Sequence, residues 1–269
     1  MLTRHVALVL EESAIELAEL TAVAGALQKQ VTRDFGPLWN IDADVSAYAK
    51  LEDMPLDYWP VIIKDDIGDP QAGGYHQDEH GQPYSLVKYD KDWTLAASHE
   101  TLEMLADPFG RHMVAGQSPV KNQGRVKFLV EVADPCEATQ FSYKVNDIVV
   151  SDFYTPNYFD PVASPSVRYS FKGAITAPRQ VLPGGYLSWY DHASRQWWQR
   201  TWFGGDAPAD GAVQDLKIQN GNLRAAIDRH TQKFRAEAMQ VEKPRKEATY
   251  AGFGNRAQSL REIIARTAG

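Results

Sequence analysis

The run Ser98-His99-Glu100-Thr101-Leu102-Glu103-Met104-Leu105-Ala106-Asp107-Pro108 constrains this chain most. It reads as one helix. Leu95, Leu102, Met104 and Leu105 supply an apolar stripe, and Ala96, Ala97 and Ala106 favour helical backbone. Pro108 and Gly110 end it. On such a helix His99 and Glu103, four residues apart, lie one above the other on the same face. That spacing lets an imidazole and a carboxylate grip a single metal ion. Glu100, next to His99, then reaches a water on that metal. The competing reading of the same residues is a solvated helix face carrying one incidental histidine.

His-Glu-x-x-Glu is the layout of the His-Glu-x-x-His helix of zinc peptidases, with Glu103 in place of the second histidine. A carboxylate oxygen is an acceptable zinc ligand. A catalytic zinc needs three protein ligands and an open position for water. His99 and Glu103 supply two. For the third, Asp107 sits at the next i+4 step, where it also reads as an ordinary helix-terminating residue. Glu131 and Asp134 lie at a strand end further on, and Asp134 before Pro135 also reads as a turn residue. Cys136 is near them, although a lone buried cysteine more often only packs. His76 and His80 fall in a glycine-rich loop and read as solvent-facing.

The order of elements around this helix is informative. Residues 3–10 read as a strand and 12–33 as a helix, with Ile15, Leu17, Leu20, Val23, Leu27 and Val31 at helical spacing. Residues 43–50 and 58–65 read as strands. Residues 66–83, punctuated by Gly68, Pro70, Gly73, Gly74, Gly81 and Pro83, read as loop. Tyr84–Tyr89 reads as an edge strand leading into the candidate metal helix. The upper half of zincin peptidases is built in this order, with the edge strand lining the substrate cleft. An extended peptide can pair with such an edge by strand addition.

After residue 110 the chain turns β-rich. Residues 125–132 read as a strand, and 141–154 as a hairpin turning at Asn146-Asp147. An aromatic, proline-rich loop occupies 154–165. A second hairpin over 184–203 carries Trp189, Trp197, Trp198 and Trp202, which read as sheet packing rather than a sugar platform. Residues 212–240 read as helical, 242–256 as a linker and 257–267 as a short helix. The expected organisation is a catalytic domain over 1–165, a hairpin and helical extension packed on it over 166–240, and a linker with a terminal helix over 241–269.

Composition bounds the function. The net charge of −7, without a lysine- or arginine-rich run in the body of the chain, argues against nucleic acid as a partner. No stretch reaches the apolar length that spans a bilayer. Residues 1–10 are briefly apolar, but Glu11 and Glu12 follow and no small-residue cleavage site appears, so no signal peptide is expected. Cys136 is the single cysteine, which rules out an internal disulfide and fits a cytoplasmic protein.

Two segments together carry a resemblance. Ser98 to Pro108 is followed by Glu131-Val132-Ala133-Asp134-Pro135-Cys136-Glu137. This pairing resembles a broad, mostly uncharacterised set of zincin-like proteins with Ser-His-Glu-x-x-Glu-x-x-x-Asp-Pro and Glu-x-x-Asp-x-Cys-Glu motifs. It is also similar to plant extracellular proteins related to exordium. The resemblance covers roughly residues 84–160. It implies a zincin-type site with His99 and Glu103 as ligands and Glu100 as base, and it raises Glu131 and Asp134 above Asp107 as the third ligand. The second histidine and the Gly-x-x-His extension of better-known metallopeptidases are missing.

The resulting expectation is an α+β, zincin-like domain with a mixed sheet, a backing helix and a metal-binding helix, continuing into a β-rich and helical C-terminal part. One zinc ion per chain would be held by His99, Glu103 and one of Glu131 or Asp134. Glu100 would act as general base in hydrolysis of a peptide or amide bond, with a peptide or protein as substrate. The alternatives are a catalytically silent zincin fold used for binding, and a structural protein without metal.

Overall fold

The computed structural model describes residues 2–11, 15–69, 72–213, 216, 223, 224, 226–228, 230 and 231. They all lie in one compact unit, Met1–Met239. The second unit, Gln240–Gly269, lies outside the described residues, as do the expected linker and terminal helix within it.

The protein is α+β. Strand β1 (Arg4–Leu10) is followed by helix α1 (Leu17–Lys29), a π-helical stretch (Gln30–Phe35), a short helix α2 (Gly36–Trp39) and strand β2 (Ala43–Tyr48). Strands β3 (Tyr58–Lys64), β4 (Gly74–Glu79) and β5 (Gln82–Lys88) come next, then helix α3 (Trp93–Ala106). The first sheet has the order β2-β1-β3-β5-β4. β2, β1, β3 and β5 run parallel, and β4 is antiparallel to β5. Parallel neighbours need a crossover, and α1 supplies the one between β1 and β2. The buried runs Val6–Val9 and Val61–Ile63 are continuously apolar, as strands covered on both faces must be.

β4 falls inside the expected 66–83 loop and corrects it. Its sequence, Gly-Tyr-His-Gln-Asp-Glu, has little apolar patterning. It is held by pairing with β5 through a two-residue turn, His80-Gly81, whose φ angles of 53° and 83° suit a tight hairpin. Consequently β4, and not the Tyr84–Tyr89 segment, is the edge of the sheet.

A second sheet follows. β6 (Met113–Gln117), β7 (Arg125–Leu129), β10 (Tyr186–Asp191), β11 (Gln196–Thr201) and β12 (Ala209–Ala212) pair antiparallel in the order β12-β11-β10-β7-β6. Between them a small hairpin, β8 (Tyr143–Val145) and β9 (Ile148–Val150), turns at Asn146-Asp147, where φ is 50° and 66°. The β7–β10 pairing, with Trp189 opposite Phe128, carries one sheet across residue 165. Trp189 is fully buried and stacks on Trp198 in the core. Residues 209–212 are strand, so the helical stretch expected from 212 begins later. Within 212–240, residues 213 and 216 are not helical, and residues 223, 224, 226–228, 230 and 231 are.

Helix α3 lies against the first sheet on one side and against β9 on the other. A buried polar relay fixes its first turns. The Ser98 hydroxyl donates to Gln30 Oε1 at 2.8 Å and accepts the Ser151 N–H at 2.9 Å, while Gln30 Nε2 donates to the Ser151 carbonyl at 2.9 Å. Gln30 opens the π-helical stretch, and such local widening of a helix often adjoins functional sites.

Candidate metal centre

Helix α3 is not a solvated helix. Leu102, Glu103, Met104 and Leu105 are fully buried, and Glu100 is 4% exposed. The acidic face of the helix therefore points into protein, which overturns the reading of His99, Glu100 and Glu103 as an incidental surface set. The helix ends as its chemistry requires. Asp107, before Pro108, leaves the helical region with φ −137° and ψ 73°. Its carboxylate accepts the N–H groups of Arg111 at 3.0 Å and His112 at 2.8 Å. Asp107 is thus committed to the turn after α3.

Downstream of β7 the chain passes through Val130, Glu131 and Val132 into a single 3₁₀ turn, Asp134–Cys136. The backbone of this turn docks on α3, because the N–H groups of Ala133 and Asp134 donate to Glu103 Oε1 at 3.1 and 3.3 Å. The docking brings Asp134 onto His99. His99 Nε2 is 3.2 Å from Glu103 Oε2 and 3.2 Å from Asp134 Oδ1. Ligands at zinc distances of about 2.0–2.2 Å in a tetrahedron stand roughly 3.3–3.6 Å apart, so the two spacings are close to tetrahedral edges. Glu137 joins His99 and Asp134 in a set whose ligand atoms all lie within 4.8 Å of one another.

Glu131 is placed differently. It approaches Glu103 and Asp134, but its Oε2 is paired with Arg224 Nη1. Arg224, on the C-terminal helical stretch, is a buried cation at the heart of the cluster. Its Nη2 donates to Glu103 Oε2 at 2.7 Å, and its Nε faces both carboxylate oxygens of Asp228 at 3.0 and 3.1 Å. Gly110 makes room for it: with φ +60°, a Cβ there would stand 2.7 Å from the Arg224 Cβ.

His76 corrects the expectation of a solvent-facing loop residue, since it is fully buried on the edge strand β4. Its Nε2 lies 3.1 Å from the Asp107 carbonyl oxygen, which can only accept, so the Nε2–H tautomer fits. Nδ1 is then free to accept from Arg224 Nη1 at 3.1 Å. That tautomer offers no proton to Glu100 Oε2, 3.4 Å from Nδ1, and this buried oxygen has no hydrogen-bond partner among the described residues. Gly74 on β4 admits the Glu100 side chain, because a Cβ there would be 2.9 Å from Glu100 Cγ and 3.1 Å from its Oε1. His80 sits in the β4–β5 turn, away from these contacts.

The electrostatics follow from this crowding of carboxylates. Burial opposes the charge of His99, yet Glu103 and then Asp134 outweigh it and hold the imidazole well above the ordinary histidine value. Burial, reinforced by Glu103, pushes the Asp134 carboxyl well above the usual range. Glu103 goes the other way: burial raises it, but Arg224 and then His99 pull it far down. Burial, with Asp152 and Asp134 nearby, pushes the Cys136 thiol up, so the thiolate that binds metal is disfavoured there.

A divalent cation fits these residues. Glu131 Oε1 and Asp134 Oδ2, like Glu100 Oε2, are buried without a hydrogen-bond partner among the described residues. An unpaired buried anionic oxygen is costly, and a cation bound among such oxygens relieves the cost. One imidazole nitrogen and surrounding carboxylate oxygens form a donor set that could hold a divalent metal ion.

His76, Arg224 and Asp228 were not among the site residues expected from sequence. His76 had one faint signal, the His-Gly hairpin turn that follows it. Arg224 and Asp228 are an i,i+4 pair beside the apolar Leu223 and Ile227, a pattern shared with countless solvated helix pairs.

No family model matches the chain, no curated protein matches it and no solved structure matches it.

Proposed function

We propose that the protein is a zinc-dependent hydrolase of peptide or amide bonds, built on a zincin-like fold. The observation that carries this reading is the position of His99 Nε2, 3.2 Å from both Glu103 Oε2 and Asp134 Oδ1, which come from two segments of the chain about thirty residues apart. His99, Glu103 and Asp134 would hold the ion. Bound there, zinc would polarise a carbonyl and lower the pKa of a water toward neutrality. Glu103 is oriented for this by the two backbone N–H groups on its Oε1. Glu100, one residue from His99, would take the proton from the attacking water on its unpartnered Oε2 and pass it to the leaving amine. Edge strand β4 beside α3 would align an extended peptide by strand addition.

A second reading, a metal-holding but catalytically silent binding domain, is favoured by the burial of Glu100 beside His76. Both are tested together. Purified protein should carry close to one zinc per chain, and His99→Ala should lose it. Glu100→Gln should keep metal and fold while hydrolysis of a peptide library drops on the order of 10²–10⁴-fold. Absence of zinc from wild-type protein under zinc-replete conditions sinks the metal centre. A zinc-loaded wild type that cleaves nothing favours the silent domain.

A further inference from the structure

Resting on the metal centre proposed above, we propose that the Arg224 guanidinium is a built-in cation filling the second of two adjoining cation positions, and so limits the centre to one metal ion. The cluster offers more ligands than one ion uses. The set His99, Asp134 and Glu137 lies on one side; the sets Glu103, Glu131 and Asp134 and His76, Glu100 and Glu103 lie beside it. Asp134 belongs both to the His99 set and to the Glu103 and Glu131 set, the arrangement by which two neighbouring cations share a bridging carboxylate, and Glu103 joins the two sets on the second side.

Arg224 occupies the second position and not the first. Its nitrogens meet Glu103, Glu131, His76 and Asp228. Asp134, which closes on His99 from the other side, is not among these partners. Among the described residues it is the only lysine or arginine with an ion pair to this cluster. A guanidinium stays protonated in any protein environment, so its charge is permanent. The fold is shaped to admit it, since Gly110 alone leaves space for its Cβ. Even with the arginine in place, Glu131 Oε1 and Glu100 Oε2 remain unpartnered. The charge on this side is therefore enough to draw in a divalent ion once the arginine is removed.

The test counts metal. Wild type, Arg224→Met, Arg224→Lys and the double variant Arg224→Met/Glu131→Gln are stripped with chelator, dialysed against zinc chloride alone and analysed for zinc per chain. Melting curves are recorded with and without zinc. One ion is expected in wild type and in Arg224→Lys, and two in Arg224→Met, whose melting temperature falls in chelator and recovers in excess zinc. The double variant, lacking both the cation and one of its carboxylates, should melt higher in chelator than Arg224→Met and bind one ion. If Arg224→Met does not fold without metal, refolding in zinc and counting ions gives the same answer. A single ion in Arg224→Met, or two in wild type, overturns the proposal. No ion in wild type overturns the metal centre itself, which is a different failure.

Discussion

Glu103→Gln isolates the charge of the residue on which the centre turns. Glutamine keeps the size and, through its carbonyl, an acceptor for the N–H groups of Ala133 and Asp134 that now reach Oε1 at 3.1 and 3.3 Å. It loses the anion that faces Arg224 Nη2 at 2.7 Å and His99 Nε2 at 3.2 Å. Two unit charges about 4 Å apart attract by roughly 4 kcal/mol at an effective dielectric of about 20. Breaking a buried pair by removing one partner costs about 3–5 kcal/mol. Part of this is offset, because Glu131, Asp134 and Glu100 crowd the same space and one fewer negative charge relieves their repulsion. The lower end, about 3 kcal/mol, is the expected loss in metal-free protein. For a folded unit of this size each kcal/mol lowers the melting temperature by about 2–4 °C, so a fall of about 6–12 °C is expected. The assay is thermal unfolding in chelator, which removes the separate loss of metal affinity. A melting temperature within about 2 °C of wild type would refute the reasoning, because it would mean that Glu103 does not compensate a buried cation.

Ser98→Ala strips the hydroxyl that links Gln30 to the Ser151 N–H, leaving buried polar groups unsatisfied at about 1–3 kcal/mol; denaturant midpoints unchanged from wild type would remove the relay from the fold's support. Gly74→Ala forces a methyl to within 2.9 Å of Glu100 Cγ and 3.1 Å of the Leu86 carbonyl, for an expected loss of about 1–3 kcal/mol by urea unfolding, and wild-type stability would show that β4 and α3 are not packed this closely. pH dependence has a definite sign. His99 and Asp134 bind protons more tightly folded than unfolded, so their contribution is fully present below the unfolded values and is lost as pH rises through the folded ones. The depressed Glu103 contributes a constant amount above its unfolded value of about 4.3. The melting temperature in chelator should therefore fall as pH rises above the ordinary histidine value of about 6.5, while zinc affinity should rise over the same range because its ligands must give up their protons. A metal-free melting temperature that climbs over that range contradicts the arrangement.

Much of this molecule is written in short-range pattern. The stripe and proline stop of α3 and the Asn146-Asp147 turn act over a few residues, and both form where that pattern places them. The apolar repeat of α1 gives a helix, but one that runs only Leu17–Lys29 of the expected 12–33 and passes at Gln30 into the π-helical stretch. The His99–Glu103 pairing belongs to the same class, since an i,i+4 spacing needs nothing but a helix. Tertiary structure decided the rest. The three carboxylates that competed in the sequence as third ligand were sorted by contacts that no local pattern carries: Asp107 went to the turn after α3, Glu131 to Arg224 and Asp134 to His99. Strand β4 formed because β5 offered it backbone partners, and that pairing turned His76 from an apparent loop residue into a buried wall of the centre. Arg224 arrives from 121 positions beyond Glu103, seated by Gly110 and held by charge. A carboxylate in an extended chain has no preferred cation. It acquires one only when long-range packing excludes water and leaves one partner within reach.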